Sequence, residues 1–244
     1  MASILDRYGI KEVADVTFYK INADGSVGAP VLYLDTLKVS TIEQTAENTS
    51  ARGGKGNPEL ITWDYGKEIT VTLEDALFSA KSMAIMFGSV EADGDVVIGS
   101  SASILKTARK ADVVDGKVTI NGEAVVLPTD GVSYYNADGT TGTSTSYEYV
   151  TFPLTVKDVS VISISAKTFP GTYYVTGDTY ARRETDGLDE FFQFIIPKAK
   201  VQSEVTLTME AEGDPSTFSM NLRVLRPAND SMMKLVKYNL GENG

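Results

Sequence analysis

Residues 68–73 read Glu-Ile-Thr-Val-Thr-Leu, so the apolar side chains of Ile69, Val71 and Leu73 alternate with polar ones. Successive side chains of a β-strand point to opposite faces, and this alternation is typical of a strand with one face in a core and the other in solvent. The same period recurs at residues 218–224, which read Phe-Ser-Met-Asn-Leu-Arg-Val. The pattern indicates a protein built mainly from β-strands.

A hairpin is predicted near the C-terminus. Residues 205–209 alternate in the same way as residues 218–224, and the run from Glu212 to Ser216 between them consists of turn formers. Two strands joined in this way pair antiparallel. Dipeptides typical of tight hairpin turns occur at Asp24-Gly25, Asp115-Gly116 and Asn121-Gly122. Further strand candidates are residues 13–21, 31–39, 159–165, 172–181 and 190–196.

One amphipathic helix is predicted after residue 73. Leu77, Ala80, Ala84 and Phe87 recur at spacings of three and four residues, which places them on one face of a helix of about four turns. Gly88 is a suitable residue just past its end, since glycine readily adopts the left-handed conformation of a helix C-cap. We expect this helix to pack on the sheet.

The composition bounds the class of protein. With 244 residues, 42% of them hydrophobic and 23% charged, the chain can bury a sizeable core as one large β domain or two smaller ones. No apolar run approaches the roughly 18 residues of a membrane span, and residues 1–11 carry no signal-peptide pattern, so synthesis in the cytosol is expected.

Two residue types are missing. The sequence contains neither cysteine nor histidine, which excludes disulfides, thiolate nucleophiles and any Ser-His-Asp arrangement. Together these residues supply most general bases near neutral pH and most transition-metal ligands. The sequence therefore predicts neither an enzyme nor a cofactor.

The formal net charge is −11. Such a chain repels nucleic-acid phosphates on average, so tight, sequence-independent DNA binding is not expected. An acidic surface would instead let DNA slide past without adhering.

Residues 43–58 are predicted to form a long, polar, irregular loop that extends from the body of the protein. Within it, the run from Gly53 to Gly56 invites comparison with a phosphate-binding loop, but the P-loop requires Ser or Thr after its Lys, where this chain has Gly56. We interpret the run as a flexible basic loop suited to docking on an acidic face of a neighbouring copy. The candidate assembly residues are Arg52, Gly53, Gly54, Lys55, Gly56 and Asn57.

Other clusters have less specific interpretations. The carboxylates of Glu184, Asp186, Asp189 and Glu190 match no calcium loop and lie beside two arginines, which favours a solvated turn with local ion pairs. Residues 93–95, Asp-Gly-Asp, also indicate a turn.

A group of aromatic residues has two possible interpretations. The side chains either pack in the sheet or form a sugar-binding platform. The residues are Trp63, Tyr134, Tyr135, Tyr147 and Tyr149.

The last third of the chain carries a family resemblance. Residues 190–201 read EFFQFIIPKAKV, residues 207–218 read LTMEAEGDPSTF, and residues 219–226 read SMNLRVLR. This succession resembles the C-terminal half of phage tail tube (major tail) proteins. Residues 53–88, GGKGNPELITWDYGKEITVTLEDALFSAKSMAIMFG, look like the loop, strand and helix of the same family. Together these stretches cover about half of the chain.

The resemblance implies a mainly β fold of two packed antiparallel sheets, sandwich-like or barrel-like, with one flanking α-helix. It implies a single tail tube-like domain over residues 1–244, in which residues about 90–154 are a candidate inserted subdomain rich in β-hairpins. It also implies a non-enzymatic virion protein, assembled in the host cytoplasm, whose copies form hexameric rings stacked into a hollow conduit.

The implied partners are other copies of the chain and other tail proteins: the tape measure, the terminator and a sheath where one exists. Genomic DNA passes through the lumen without specific binding. Two alternatives stay open, namely another virion component (tail terminator, baseplate or head-decoration protein) and a carbohydrate-binding β-sandwich module.

Overall fold

The computed structural model describes residues 7–90, 96–109, 113–120, 122–207 and 217–238. The chain divides into two compact units, a main unit (Met1–Ile98 with Ile162–Gly244) and a second unit (Gly99–Val161). In chain order the elements are β1 (Tyr8–Ile10), β2 (Asp15–Ile21), β3 (Val27–Leu34), β4 (Leu37–Arg52), β5 (Glu59–Asp75), α1 (Ala80–Phe87), β6 (Gly99–Arg109), β7 (Lys117–Ile120), β8 (Glu123–Val126), β9 (Ser133–Tyr135), β10 (Tyr149–Val161), β11 (Thr172–Arg183), β12 (Asp189–Val201), β13 (Phe218–Val224) and β14 (Lys234–Tyr238).

The main unit is one curled antiparallel sheet. Its nine strands follow the order β3-β2-β11-β12-β13-β5-β4, with β1 paired to β11 and β14 paired to β12. Strands β3 and β4 lie at opposite ends of this order, yet only Asp35 and Thr36 separate them in sequence. The sheet must therefore bend back on itself, although β3 and β4 do not pair among the described residues. The prediction of a mainly β fold with antiparallel sheets and one helix is confirmed, and the described strands do not close into a barrel.

The core of the main unit lies inside this curl. Ile69, Val71 and Leu73 are buried, as their alternation predicts. Across the ladder, Leu73 pairs with Met220 and Val71 pairs with Leu222, so two alternating strands place their apolar faces side by side. Burial of apolar side chains on this scale is the main stabilising contribution to such a fold.

The predicted C-terminal hairpin is wrong in one of its strands. Residues 218–224 do form β13, but residues 202–207 belong to no strand, and residues 208–216 lie outside the described residues. Strand β13 pairs instead with β5 and with the end of β12, where Val201 lies opposite Leu222. Strand β12 runs on through Ala199 and Val201, which are both buried, and thereby supplies the partner.

Helix α1 is shorter than predicted. Ser79 is its N-cap and exchanges hydrogen bonds with Ser82 in a capping box, and Gly88 ends it in the left-handed conformation, at φ 73°. Its buried residues are Ser82, Ala84, Ile85 and Met86. Leu77 lies before the N-cap, because the Asp75 carboxylate accepts hydrogen bonds from the Leu77 N–H and the Thr36 hydroxyl and fixes the segment as a loop. No helix in the described part of the chain is long and apolar enough to span a membrane.

The second unit contains a three-stranded antiparallel sheet, ordered β6-β10-β9, and the two-stranded hairpin β7-β8. Its buried apolar cluster consists of Val118, Val150 and Phe152. The turn before β7 contains Asp115 and Gly116, both at positive φ, as the Asp-Gly dipeptide predicts.

Candidate assembly site

A long β-ribbon projects from the sheet of the main unit. Strands β4 and β5 pair over almost their full lengths, whereas β13 accompanies β5 only from Thr70 to Asp75. The segment beyond this point, residues 45–68, is called the arm. None of its residues is buried. At about 3.3 Å per residue, the ten residues from Glu59 to Glu68 extend roughly 33 Å from the sheet.

The predicted irregular loop at residues 43–58 is therefore wrong for most of its length. Residues 43–52 are part of β4, and only residues 53–58 lie between the strands. The strand was missed because both faces of this part of β4 are in solvent, so its sequence shows no apolar alternation. Gly66, at φ 63°, lies at a register shift at the base of the arm, where a β-bulge requires a left-handed residue.

The tip of the arm is an ordered turn. The Gly53 N–H donates to the Pro58 carbonyl at 3.2 Å, and the Asn57 N–H donates to the Gly54 carbonyl at 3.1 Å. Gly54, Gly56 and Asn57 adopt positive φ, which glycine and asparagine tolerate best. The structure therefore brings the six sequence-predicted site residues together at the most distant point of the arm.

Charge at the tip is unevenly distributed. Arg52 forms an ion pair with Glu59, with 3.0 Å between Nη2 and Oε2. Lys55 is exposed and makes no ion pair with any described residue. The free positive charge of the tip is therefore that of Lys55.

The two faces of the arm differ in chemistry. On β5, Ile61, Trp63 and Tyr65 alternate with Thr62 and Asp64, so the three apolar side chains share one face. Their exposed fractions are 54%, 52% and 52%. Residues paired across a ladder share a face, which adds the partners of the three, Ala51, Thr49 and Glu47.

We call this surface the Trp63 face. The opposite face carries the polar pairs Asn48 with Asp64 and Ser50 with Thr62. An exposed row of large apolar side chains marks a surface that contacts another molecule. The candidate assembly residues predicted from sequence lie at the tip and do not include this face.

The carboxylate cluster is an ion-paired turn, as its sequence indicates. Arg182 binds Asp189 at 2.6 Å and Arg183 binds Asp186 at 2.9 Å. The Arg182 guanidinium lowers the pKa of the Asp189 carboxyl through this hydrogen bond. The described residues contain no group of acidic side chains arranged to hold a metal ion. The turn predicted at residues 93–95 lies outside the described residues.

Glu190 differs from the rest of this cluster because its side chain is buried. Arg183, from β11, and Lys237, from β14, both form ion pairs with its carboxylate. The interaction joins three strands near the end of the β11–β12 hairpin. It is a structural contact, since a buried carboxylate is stable only when it is paired.

Replacing Glu190 with Gln is expected to lower the free energy of unfolding by about 2 kcal/mol, because two cations lose their shared buried partner. Urea unfolding of the variant measures the loss. The control is Asp186→Asn, which removes an ion pair of a more exposed carboxylate and should cost under about 1 kcal/mol. Equal stability of the two variants would contradict the assignment.

The aromatic residues do not share one environment. The rings of Tyr134 and Tyr147 lie 4.9 Å apart and pack against the buried cluster of the second unit. Trp63 belongs to the arm of the main unit. Packing within the second unit therefore accounts for Tyr134 and Tyr147.

The long exposed arm with one apolar face is a surface suited to contact with other chains. Residues 8–237 match the YomU/Tube protein family, and the chain belongs to this family. The resemblance to phage tail tube proteins is thereby confirmed, and the chain is a structural protein of a phage tail tube. The comparison with curated proteins gives no match.

Proposed function

We propose that this chain is the subunit of a tail tube in which rings of six copies stack into a hollow conduit for DNA. The observation that carries the proposal is the family match over residues 8–237, and the exposed arm supports it. The ring of six and the conduit follow from the resemblance to tail tube proteins.

The sheet edges favour association between copies. Among the described residues, β3 and β4 each have a neighbouring strand on one side only. Such an edge presents unpaired N–H and C=O groups that readily pair with another chain. Closing a ring of copies satisfies these groups and restricts growth to one axis.

The tip of the arm is the proposed inter-subunit loop. It consists of Arg52, Gly53, Gly54, Lys55, Gly56 and Asn57. Lys55 presents an unpaired positive charge, and the chain as a whole is acidic, so the tip is complementary to the average surface of a neighbouring copy. The glycines allow the backbone of the tip to approach that surface closely.

The net charge supports the conduit. Each copy contributes a formal charge of −11, which a ring of six multiplies sixfold. If part of this charge lines the lumen, the wall repels DNA phosphates and the genome passes without adhering.

The remaining assignments complete the proposal. The tube contacts the tape measure protein, the terminator and, in a contractile tail, a sheath, and it assembles in the host cytoplasm before becoming part of the virion. Residues about 90–154, most of which fall in the second unit (Gly99–Val161), form an inserted subdomain within one tail tube-like domain. The chain needs no cofactor and catalyses no reaction.

Negative-stain electron microscopy of the purified full-length chain, over a range of concentrations, tests the proposal. We expect rings or tubes of uniform bore, with six-fold averages of the end views. Sedimentation velocity on the same samples gives the mass of the smallest closed species. A protein that stays monomeric at every concentration would contradict the proposed function.

A further inference from the structure

A second exposed apolar surface lies next to helix α1. Leu77 is 63% exposed and Phe78 is 60% exposed, on consecutive residues of the loop between β5 and α1. The Phe78 ring packs on one side against Phe218, with 4.7 Å between ring centroids. The two side chains form a small platform, which we call the Leu77–Phe78 patch.

The backbone of this patch is firmly held. The Ala76 N–H donates to the Thr36 carbonyl at 3.1 Å, and the Leu77 N–H donates to the buried Asp75 carboxylate at 3.2 Å. On the other side, the capping box of Ser79 fixes the start of α1. The patch is thus a preorganised surface, which lowers the entropy cost of binding.

The patch and the arm lie at opposite ends of β5. Trp63 and Asp75 are twelve residue steps apart along this single strand, or about 40 Å. A copy therefore cannot bring its own Trp63 face onto its own patch. Two complementary surfaces at opposite ends of one molecule produce a head-to-tail contact between copies, which closes into a ring or continues along a line according to the rotation between the copies.

We propose that the Trp63 face of one copy packs on the Leu77–Phe78 patch of the next copy along the stacking direction. This inference rests on the proposed self-assembly and identifies the two surfaces that meet. Ile61, Trp63 and Tyr65 supply the apolar side chains of the arm, and Leu77 and Phe78 receive them.

Charge is complementary in this arrangement. Glu47 is the one charged side chain on the Trp63 face. Lys81, in the first turn of α1 and close to Leu77 and Phe78 in sequence, is exposed. A head-to-tail contact places an acidic and a basic residue at the border of an apolar centre, as is usual for protein interfaces.

The size of the contact suits stacking better than dimerisation. An arm roughly 33 Å long and about 10 Å wide presents roughly 330 Å² on one face, whereas a stable pair buries about 800 Å² per partner. One such contact is therefore weak. The contacts of all copies in a ring together bind strongly, because every arm is bound at the same time.

Disulfide trapping tests the contact, since the chain contains no cysteine of its own. Thr49→Cys places a thiol on the Trp63 face, and Leu77→Cys places one in the patch of another copy. We expect mild oxidation of tubes assembled from an equimolar mixture to give a disulfide-linked dimer at least tenfold more abundant than in either single variant. The matched control is Asn48→Cys with Leu77→Cys, which places the first thiol on the opposite face of the arm.

Fluorescence of the unmodified chain gives a second readout, because Trp63 is the only tryptophan. We expect its emission to shift to shorter wavelength on assembly and its quenching by acrylamide to fall at least twofold. Tubes that form without these changes, or that give equal crosslinking with Asn48→Cys and Thr49→Cys, would overturn the inference and leave the proposed function intact. Failure of the unmodified chain to assemble would overturn both.

Discussion

A variant lacking residues Arg52 to Gly56 is expected to remain folded and to lose the ability to polymerise. Ala51 pairs with Ile61, so the deletion leaves Asn57, Pro58, Glu59 and Leu60 as a four-residue connection, a common length for a hairpin loop. The shaft of the arm and the core of the main unit are left in place. The deletion removes the proposed inter-subunit loop except for Asn57, and with it the free cation of Lys55.

Light scattering and electron microscopy measure the polymerisation of this variant, and circular dichroism with thermal unfolding verifies its fold. Lys55→Gln keeps the length of the tip and removes only its positive charge. We expect this variant to assemble more weakly than the unmodified chain, with a difference that shrinks as the salt concentration rises. Asp24→Asn, in the exposed turn between β2 and β3, should assemble like the unmodified chain. Normal tubes from the deletion variant would refute the role assigned to the tip.

Replacing Gly177 with Ala is expected to lower the free energy of unfolding by about 3 kcal/mol. Gly177 in β11 lies directly opposite Phe194 in β12, and an added Cβ would lie 2.1 Å from two atoms of the Phe194 ring. Because Phe194 is only 3% exposed, its ring has little room to move away. The side chain must leave its position in the core or the two strands must separate.

Denaturant unfolding measures this loss as a lower midpoint at an unchanged slope. Gly9→Ala is the matched control. Gly9 lies in β1, which also pairs with β11, and an added Cβ there would have no atom within 4 Å. We expect the control to change the stability by less than about 0.5 kcal/mol. Similar losses in the two variants would show that the Phe194 contact is not the cause.

The sequence predicts those parts of the fold in which one face of an element is buried. Ile69, Val71 and Leu73 alternate because only one face of β5 meets the core, and they were identified correctly. Residues 43–52 of β4 have both faces in solvent, so their sequence shows no period-two pattern and predicts a loop instead. A local pattern does not identify the pairing partner, and β13 pairs with the extension of β12 through Val201.

The candidate assembly site shows a different limit of prediction from sequence. Ile61, Trp63 and Tyr65 alternate with polar residues just as a half-buried strand does, and in the isolated chain this apolar face is not covered. The alternation of apolar and polar residues shows that one face of a strand is apolar. It does not show whether that face is covered by the same chain or by another one. For the same reason the sequence identified the glycine-rich tip through its unusual composition and left the Trp63 face unassigned.

The continuity of β5 has a mechanical consequence. The strand that forms one side of the arm is the same strand that pairs with β4 and β13 in the body. No loop interrupts it, and the β-bulge at Gly66 only shifts its register with β4. A pull applied along the arm is therefore a shearing load, and the hydrogen bonds on both sides of residues 70–75 resist it together instead of opening one after another. A load on the arm would therefore pass through this strand directly into the body of the subunit.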